Sequence, residues 1–328
     1  MREREQGMRC RAACYCRVVC VLLSLHVLVM LPCAIPSVWM RVHRCTGAAH
    51  RWQGVPHLGS AHLGAAPSVA VVVVLDDFMS ADMRARTIAN KRAYAEYWNY
   101  SLVAPSVAEV RELAHGFPTA WAKLDVARRA LESHAYVFVV DGDAVIMRAD
   151  VDLGRGIAEM EALGASLMIS KDFNGLNSGV FLVKNSSWGF EFLAEASAAR
   201  ASLGRQTRTI PLKYENRAFF YLTDMWPECF GLRRLDALLA PRYTKSAKFR
   251  RGTYVVDRCL INRRPEQSTR LSELLASDAG FDGPAAAFVM HVPGGDARSK
   301  RAAMEVLLRQ SELGAPPAGR NIAERQAL

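Results

Sequence analysis

Two carboxylates one residue apart, Asp141 and Asp143, interrupt the most apolar stretch of the chain, HAYVFVVDGDAVIMRAD at residues 134–150. Apolar runs flank them, Tyr136 to Val140 before and Ala144 to Met147 after. Carboxylates at the end of a buried strand are costly unless something neutralises them, and two such close charges repel each other. A divalent cation relieves both problems. Hard oxygen ligands suit Mg²⁺ or Mn²⁺, and a metal held by one or two acids keeps positions open for phosphate oxygens. Gly142 between the acids permits a tight turn and the close approach of a ligand. The pattern points to a metal–diphosphate site. Asp-Gly is also a common turn pair, so the stretch read alone fits a surface turn as well.

The surrounding elements decide where such a site would lie. SVAVVVVLDD, residues 68–77, is a β-branched run ending in Asp76 and Asp77, as expected of a strand buried on both faces. A helix follows, with Ser80 as N-cap and Met83, Ile88, Ala95 and Trp98 at helical spacing. SLVAP reads as a short strand. TAWAKLDVARRALES reads as an amphipathic helix that carries Lys123, with Thr119 as its N-cap. AYVFVV, ASLMIS and SGVFLVKN are further strands; SWGFEFLAEASAA and ENRAFFYLTDMW are helices; TYVVDRCLIN and AAFVMHV complete the strands. Alternation at this spacing predicts an α/β fold, a mostly parallel sheet flanked by helices on both faces. Ligands in such sheets bind beyond the carboxyl ends of the strands. Asp76-Asp77, Asp141-Gly142-Asp143 and His291 all stand at such ends. No GxGxxG follows the first strand and no GxxxxGK[ST] exists, which argues against a dinucleotide-binding Rossmann fold and a P-loop.

The chain has 328 residues, 51% of them hydrophobic, enough for one large α/β domain or two small ones. Its net charge of +10 favours anionic partners. Scattered basic residues without zinc-finger spacing or a basic heptad region argue against nucleic acid. Val18 to Met40 carries no formal charge and as a helix would extend about 34 Å, enough to cross a bilayer. Five arginines precede it, and Arg41, His43 and Arg44 follow. An uncleaved signal anchor is the favoured reading; a cleaved signal peptide with Val18 to Leu31 as its core is the alternative. Either one delivers the body to the secretory lumen, consistent with sequons at Asn99 and Asn185. The expected organisation is a cytosolic tail at 1–17, a transmembrane anchor at 18–40, a Gly-, Ala- and Pro-rich stem at 41–67, a folded domain at 68–312 and a tail at 313–328. Of eight cysteines, only Cys229 and Cys259 lie in the body, where a disulfide and two free thiols both fit the spacing.

Four blocks occur in order: NKRAYAEYWNYSLV, WAKLDVARRALESHAYVFVVDGDAVI, KDFNGLNSGVFLVKNSSWGFEFL and MHVPGGDARSK. Together they resemble glycosyltransferase family 34, which includes fungal galactosyl- and mannosyltransferases and plant xyloglucan xylosyltransferases. The resemblance runs from about Ser68 to Ala303. It implies a GT-A nucleotide-diphospho-sugar transferase fold and metal-dependent transfer of a hexosyl or pentosyl group from a UDP- or GDP-sugar to a glycan or glycoprotein. Retention at the anomeric carbon, Mn²⁺ (or Mg²⁺) and a single-pass type II Golgi topology are further implications. On this alignment Asp143 is the main metal ligand, Asp141 reaches metal or ribose, and His291 is a further metal ligand. Gly294, Gly295 and Lys300 lie against the diphosphate. Lys123 faces the nucleotide, or is a solvated helix lysine. Asp76 or Asp77 lies at the nucleoside, and Asn177 and Ser178 line the sugar pocket. On the helix after the NSG strand the family commonly shows an acidic/Gln pattern; Glu215 is present, but Asn216 stands where glutamine is usual. That departure leaves a second implication, a non-catalytic subunit of a Golgi glycosyltransferase complex.

Overall fold

The computed structural model describes residues 67–75, 79–172, 175–203, 214–225, 248–256, 258–261, 288–292 and 297–313. The expected anchor at 18–40, nearly all of the stem, Asp76, Asp77, Cys229, Gly294 and Gly295 lie outside these residues. Among the described residues no helix is long and apolar enough to cross a membrane.

Strands β1 (Val69–Val72), β2 (Ser101–Val103), β3 (Tyr136–Val140), β5 (Leu167–Asp172), β6 (Gly175–Lys184) and β7 (Thr253–Val256) form a sheet of order β2-β1-β3-β6-β5-β7. A separate two-stranded ribbon pairs β4 (Ala144–Ile146) with β8 (Val289–His291). Every residue of β1 and β3 is buried, as continuous β-branched runs require when both faces are covered. Alternate residues serve opposite faces. Ala70, Val72, Val137, Val139, Phe181 and Val183 pack on one side. There they meet helices α2 (Val107–Ala114), α3 (Ala122–Leu131), α5 (Ser187–Ala198) and α7 (Tyr214–Thr223). Val69, Val71, Phe138, Val140 and Leu182 face α1 (Ala81–Trp98) and α4 (Leu153–Ala162). The remaining helices are α6 (Arg200–Leu203), α8 (Arg258–Ile261) and α9 (Ala297–Leu313).

The sheet is mostly parallel, with one reversal that positions the site. β1 pairs in parallel with β2 and β3, and β5 with β7, while β6 runs antiparallel to both β3 and β5. Asp172 pairs with Gly175, and a two-residue link joins only antiparallel strands. Gly175 takes a positive φ of 96°, which glycine adopts at no steric cost. Antiparallel pairing brings the start of β6, with Asn177, Ser178 and Gly179, beside the end of β3. The Asp141 N–H donates to the Gly179 carbonyl at 2.8 Å.

The Ser80 cap is as expected, and three other local expectations change. Ser80 caps α1, its hydroxyl accepting from the Met83 N–H. Thr119 does not cap α3; it opens a 3-10 turn, Thr119–Trp121, from which α3 continues without a side-chain cap. Among the described residues of TYVVDRCLIN, Thr253–Val256 is strand and Arg258–Ile261 is helical. Among the described residues the strand in AAFVMHV covers Val289–His291 and pairs with β4 instead of joining the main sheet.

Candidate active site

The DGD segment leaves β3 at the carboxyl edge of the sheet and runs directly into β4. β4 pairs antiparallel with β8, with Ala144 opposite His291, and the Val292 N–H donates to the Asp143 carbonyl at 2.9 Å. This pairing carries His291 across 148 residues of sequence to Asp143, leaving its Nε2 3.2 Å from Asp143 Oδ1. One ligand atom each from Asp141, Asp143 and His291 lie within 4.8 Å of one another. The tight turn expected at Gly142 is present, closed by the Ala144 N–H donating to the Asp141 carbonyl at 3.0 Å, but the reason for glycine there is not its dihedral freedom. Its φ is not positive, and the space is tight, since an added Cβ would meet Val74 O and Leu75 Cδ2 at 3.1 Å and Met79 Cε at 3.2 Å.

Around this group the charges are dense. Lys123 is 1% exposed, so the solvated reading of this lysine is excluded. Its Nζ lies 2.6 Å from Asp141 Oδ1 and 2.7 Å from Glu215 Oε1, and also donates to the Ser178 carbonyl at 3.2 Å. Lys300, in the first turn of α9, pairs with Asp143 Oδ2. Ser178 donates its hydroxyl to Glu215 Oε1 at 2.6 Å. The Ser178 N–H donates to Asn216 Oδ1 at 2.7 Å, so the Asn216 amide oxygen holds the β6 backbone. Asn177 Oδ1 accepts from the Gly179 N–H at 2.9 Å. Between β5 and β6 the register jumps from Ile169↔Phe181 to Ser170↔Asn177. Ser178, Gly179 and Val180 are thereby released from β5, an irregularity of the kind that re-aims side chains beside a site.

Lys91 is the residue sequence reasoning missed. It is fully buried on α1 and donates to the Ala144 carbonyl, one residue past Asp143. Burial lowers its pKa to about 7, against the pull of the Asp143 and Asp141 charges. The signal was present in the helical period: Met83, Thr87, Lys91 and Tyr94 share the buried face of α1.

The acids respond in opposite directions. Burial, then the neighbouring carboxylates Asp143 and Glu215, push Asp141 up to about 6 despite Lys123. Burial also works against ionised Asp143, but His291 and Lys300 outweigh it and hold the carboxyl well below its usual range. For Lys123 the burial cost is overcome by Asp141 and Glu215, which raise its pKa. Three carboxylates, Asp141, Asp143 and Glu215, thus share a small, largely buried space with Lys123 and Lys300 against them. Glu215 Oε2 is buried there without a hydrogen-bond partner among the described residues. Two carboxylates and an imidazole within reach of one point fit a divalent cation such as Mn²⁺ or Mg²⁺.

The sequence profile of the galactosyl transferase GMA12/MNN10 family matches residues 66–168 and 157–231, together about half of the chain. The chain belongs to this family. Its matched residues include the DGD segment, Lys123, the NSG strand and Glu215-Asn216. The match ends before His291 and Lys300, whose place beside Asp143 follows from the β4–β8 pairing and the start of α9. Among curated relatives, an uncharacterized alpha-1,2-galactosyltransferase of Schizosaccharomyces pombe is 26% identical over a region covering 33% of this chain and 38% of that one. A Saccharomyces cerevisiae protein named as probable alpha-1,6-mannosyltransferase MNN10 is 25% identical, covering 31% of this chain and 33% of its own. The chain thus spans about a third of the length of the curated relatives it matches. A solved glycosyltransferase involved in glycosylation of the major capsid of PBCV-1 aligns with a TM-score of 0.44 at 12% identity, covering 73% of this chain and 99% of that one.

Proposed function

We propose that this family member is a nucleotide-sugar-dependent glycosyltransferase of GT-A architecture. It moves a hexosyl or pentosyl group from a UDP- or GDP-sugar to a glycan or glycoprotein acceptor, with retention at the anomeric carbon. The reading includes a single-pass type II topology in the Golgi, through the apolar stretch at 18–40. The observation that carries it is the convergence of Asp141, Asp143 and His291 at the carboxyl edge of the sheet.

Cleaving the sugar–phosphate bond builds negative charge on the departing diphosphate and positive charge on the anomeric carbon. A divalent cation held by Asp141, Asp143 and His291 would act as Lewis acid toward the diphosphate. Lys300, already beside Asp143, adds a point charge for the same leaving group. On the sugar side, Glu215 has one oxygen engaged by Lys123 and Ser178 and the other buried and unpartnered among the described residues. That oxygen can accept from a sugar hydroxyl or face the developing positive charge. Asn177 and Ser178 hold the strand that forms this wall. Asn216 acts through the Ser178 backbone, so its amide oxygen positions the wall in place of facing the sugar.

The test is a panel of UDP- and GDP-sugars with the purified chain and Mn²⁺, read as donor hydrolysis and transfer to glycan acceptors. Turnover of at least one donor, lost in Asp143→Ala, is expected. Absence of turnover with every donor in wild type would contradict the assignment and favour a non-catalytic subunit.

A further inference from the structure

We propose that Gly179 is a positioning residue for the cation site: its missing side chain is the space that admits the His291 imidazole and aims Nε2 at Asp143. The proposal rests on the reading of Asp141, Asp143 and His291 as cation ligands. The backbone at Gly179 does not itself demand glycine. Positive φ values among the described glycines occur at Gly116, Gly164 and Gly175, and Gly179 is not one of them. Space demands it. A Cβ at this position would lie 2.2 Å from His291 Cε1, 2.7 Å from Nδ1 and 2.9 Å from Nε2. The corner of the ring between its two nitrogens therefore occupies the volume of a methyl group.

Neither backbone can readily retreat from such a clash. The Gly179 N–H donates to Asn177 Oδ1 at 2.9 Å and its carbonyl accepts from the Asp141 N–H at 2.8 Å. The adjacent Val180 is paired with Val140. On the other side, His291 is opposite Ala144 in the β4–β8 ribbon, and the Val292 N–H is held by the Asp143 carbonyl. The imidazole is the part left to move, and its rotation takes Nε2 away from Asp143. Gly179 thus sets the spacing of two ligands at once, Asp141 through its carbonyl and His291 through its bare Cα. Partners that orient a metal ligand typically change metal affinity by about 10–100-fold when altered.

Mn²⁺ binding and thermal unfolding of the purified full chain test this in wild type, Gly179→Ala, His291→Ala, the double variant and Asp143→Asn. Gly179→Ala is expected to weaken Mn²⁺ binding about tenfold or more, and the double variant to bind no more weakly than His291→Ala alone. Gly179→Ala lowers the melting temperature, whereas in the His291→Ala background the same change costs nothing, because the clashing ring is gone. Mn²⁺ binding by Gly179→Ala equal to wild type, or effects that multiply in the double variant, would overturn the proposal. If Gly179→Ala fails to fold, a folded double variant supports it and an unfolded one overturns it. If Asp143→Asn and His291→Ala bind Mn²⁺ as wild type does, the cation reading itself fails and the positioning role falls with it.

Discussion

Replacing Lys91 with methionine should stabilise the protein at mildly acid pH and weaken it at alkaline pH. The ammonium is wholly buried, and its pKa falls from 10.5 to about 7. In the unfolded chain the amine keeps its proton up to about pH 10, whereas the folded chain releases it above about pH 7. Below pH 7 both states are protonated, and folding bears the full cost of burying the charge. Between about pH 7 and 10 the unfolded state binds more protons, so stability rises with pH. The displacement corresponds to about 5 kcal/mol at its acid limit. Methionine removes that cost but leaves the Ala144 carbonyl without its donor, a loss of about 1–3 kcal/mol. The net expectation is a gain of about 2–4 kcal/mol at pH 6. Near pH 10 the amine is neutral in the folded state, and the variant becomes equal to wild type or less stable. The difference between the two pH values, about 4 kcal/mol, does not depend on the carbonyl term; for a domain of this size it is about 8–16 °C in relative melting temperature. Thermal unfolding of both proteins from pH 6 to pH 10 measures it. A Lys91→Met variant with the same stability offset at every pH would refute the reasoning.

Other expectations concern neighbouring groups. Lys123→Met leaves Asp141 and Glu215 buried without their shared cation and should cost about 3–5 kcal/mol in urea unfolding, with Glu215→Gln in the same background recovering part of it. Lys300→Ala removes a positive charge from Asp143, so calorimetry should show Mn²⁺ binding more tightly in the absence of nucleotide while nucleotide-sugar affinity falls. Equal changes of one sign in both affinities would contradict that role. Asn216→Ala leaves the Ser178 N–H without its acceptor and should lower the urea unfolding free energy by about 1–2 kcal/mol.

Much of the fold was legible in local pattern. The β-branched runs of β1 and β3, the Ser80 cap and the carboxylates at a strand end all depend on neighbours in sequence. Less legible was anything set by pairing between distant segments. His291 was recognisable at a strand end, yet its meeting with Asp143 depends on β8 leaving the main sheet to join β4, and no local pattern encodes that choice. The reversal of β6 did have a local signal in Asn174-Gly175, a strong hairpin dipeptide, and that reversal brings Gly179 to Asp141. Lys123 reads as an ordinary basic residue of an amphipathic helix. Only the sheet edge above α3 explains why its ammonium is buried between two acids. The need for glycine at Gly179 is invisible in sequence, because the atom it must avoid lies 112 positions away.

The central claim is that Asp141, Asp143 and His291 hold the cation through which a nucleotide sugar is bound. Calorimetric titration of UDP and GDP into the purified chain, with Mn²⁺ and with a chelator, addresses it directly. The account predicts that one of the two nucleotides binds with Mn²⁺, does not bind with the chelator, and is lost in Asp143→Asn. Equal nucleotide binding in chelator, or in the Asp143→Asn variant, would contradict it.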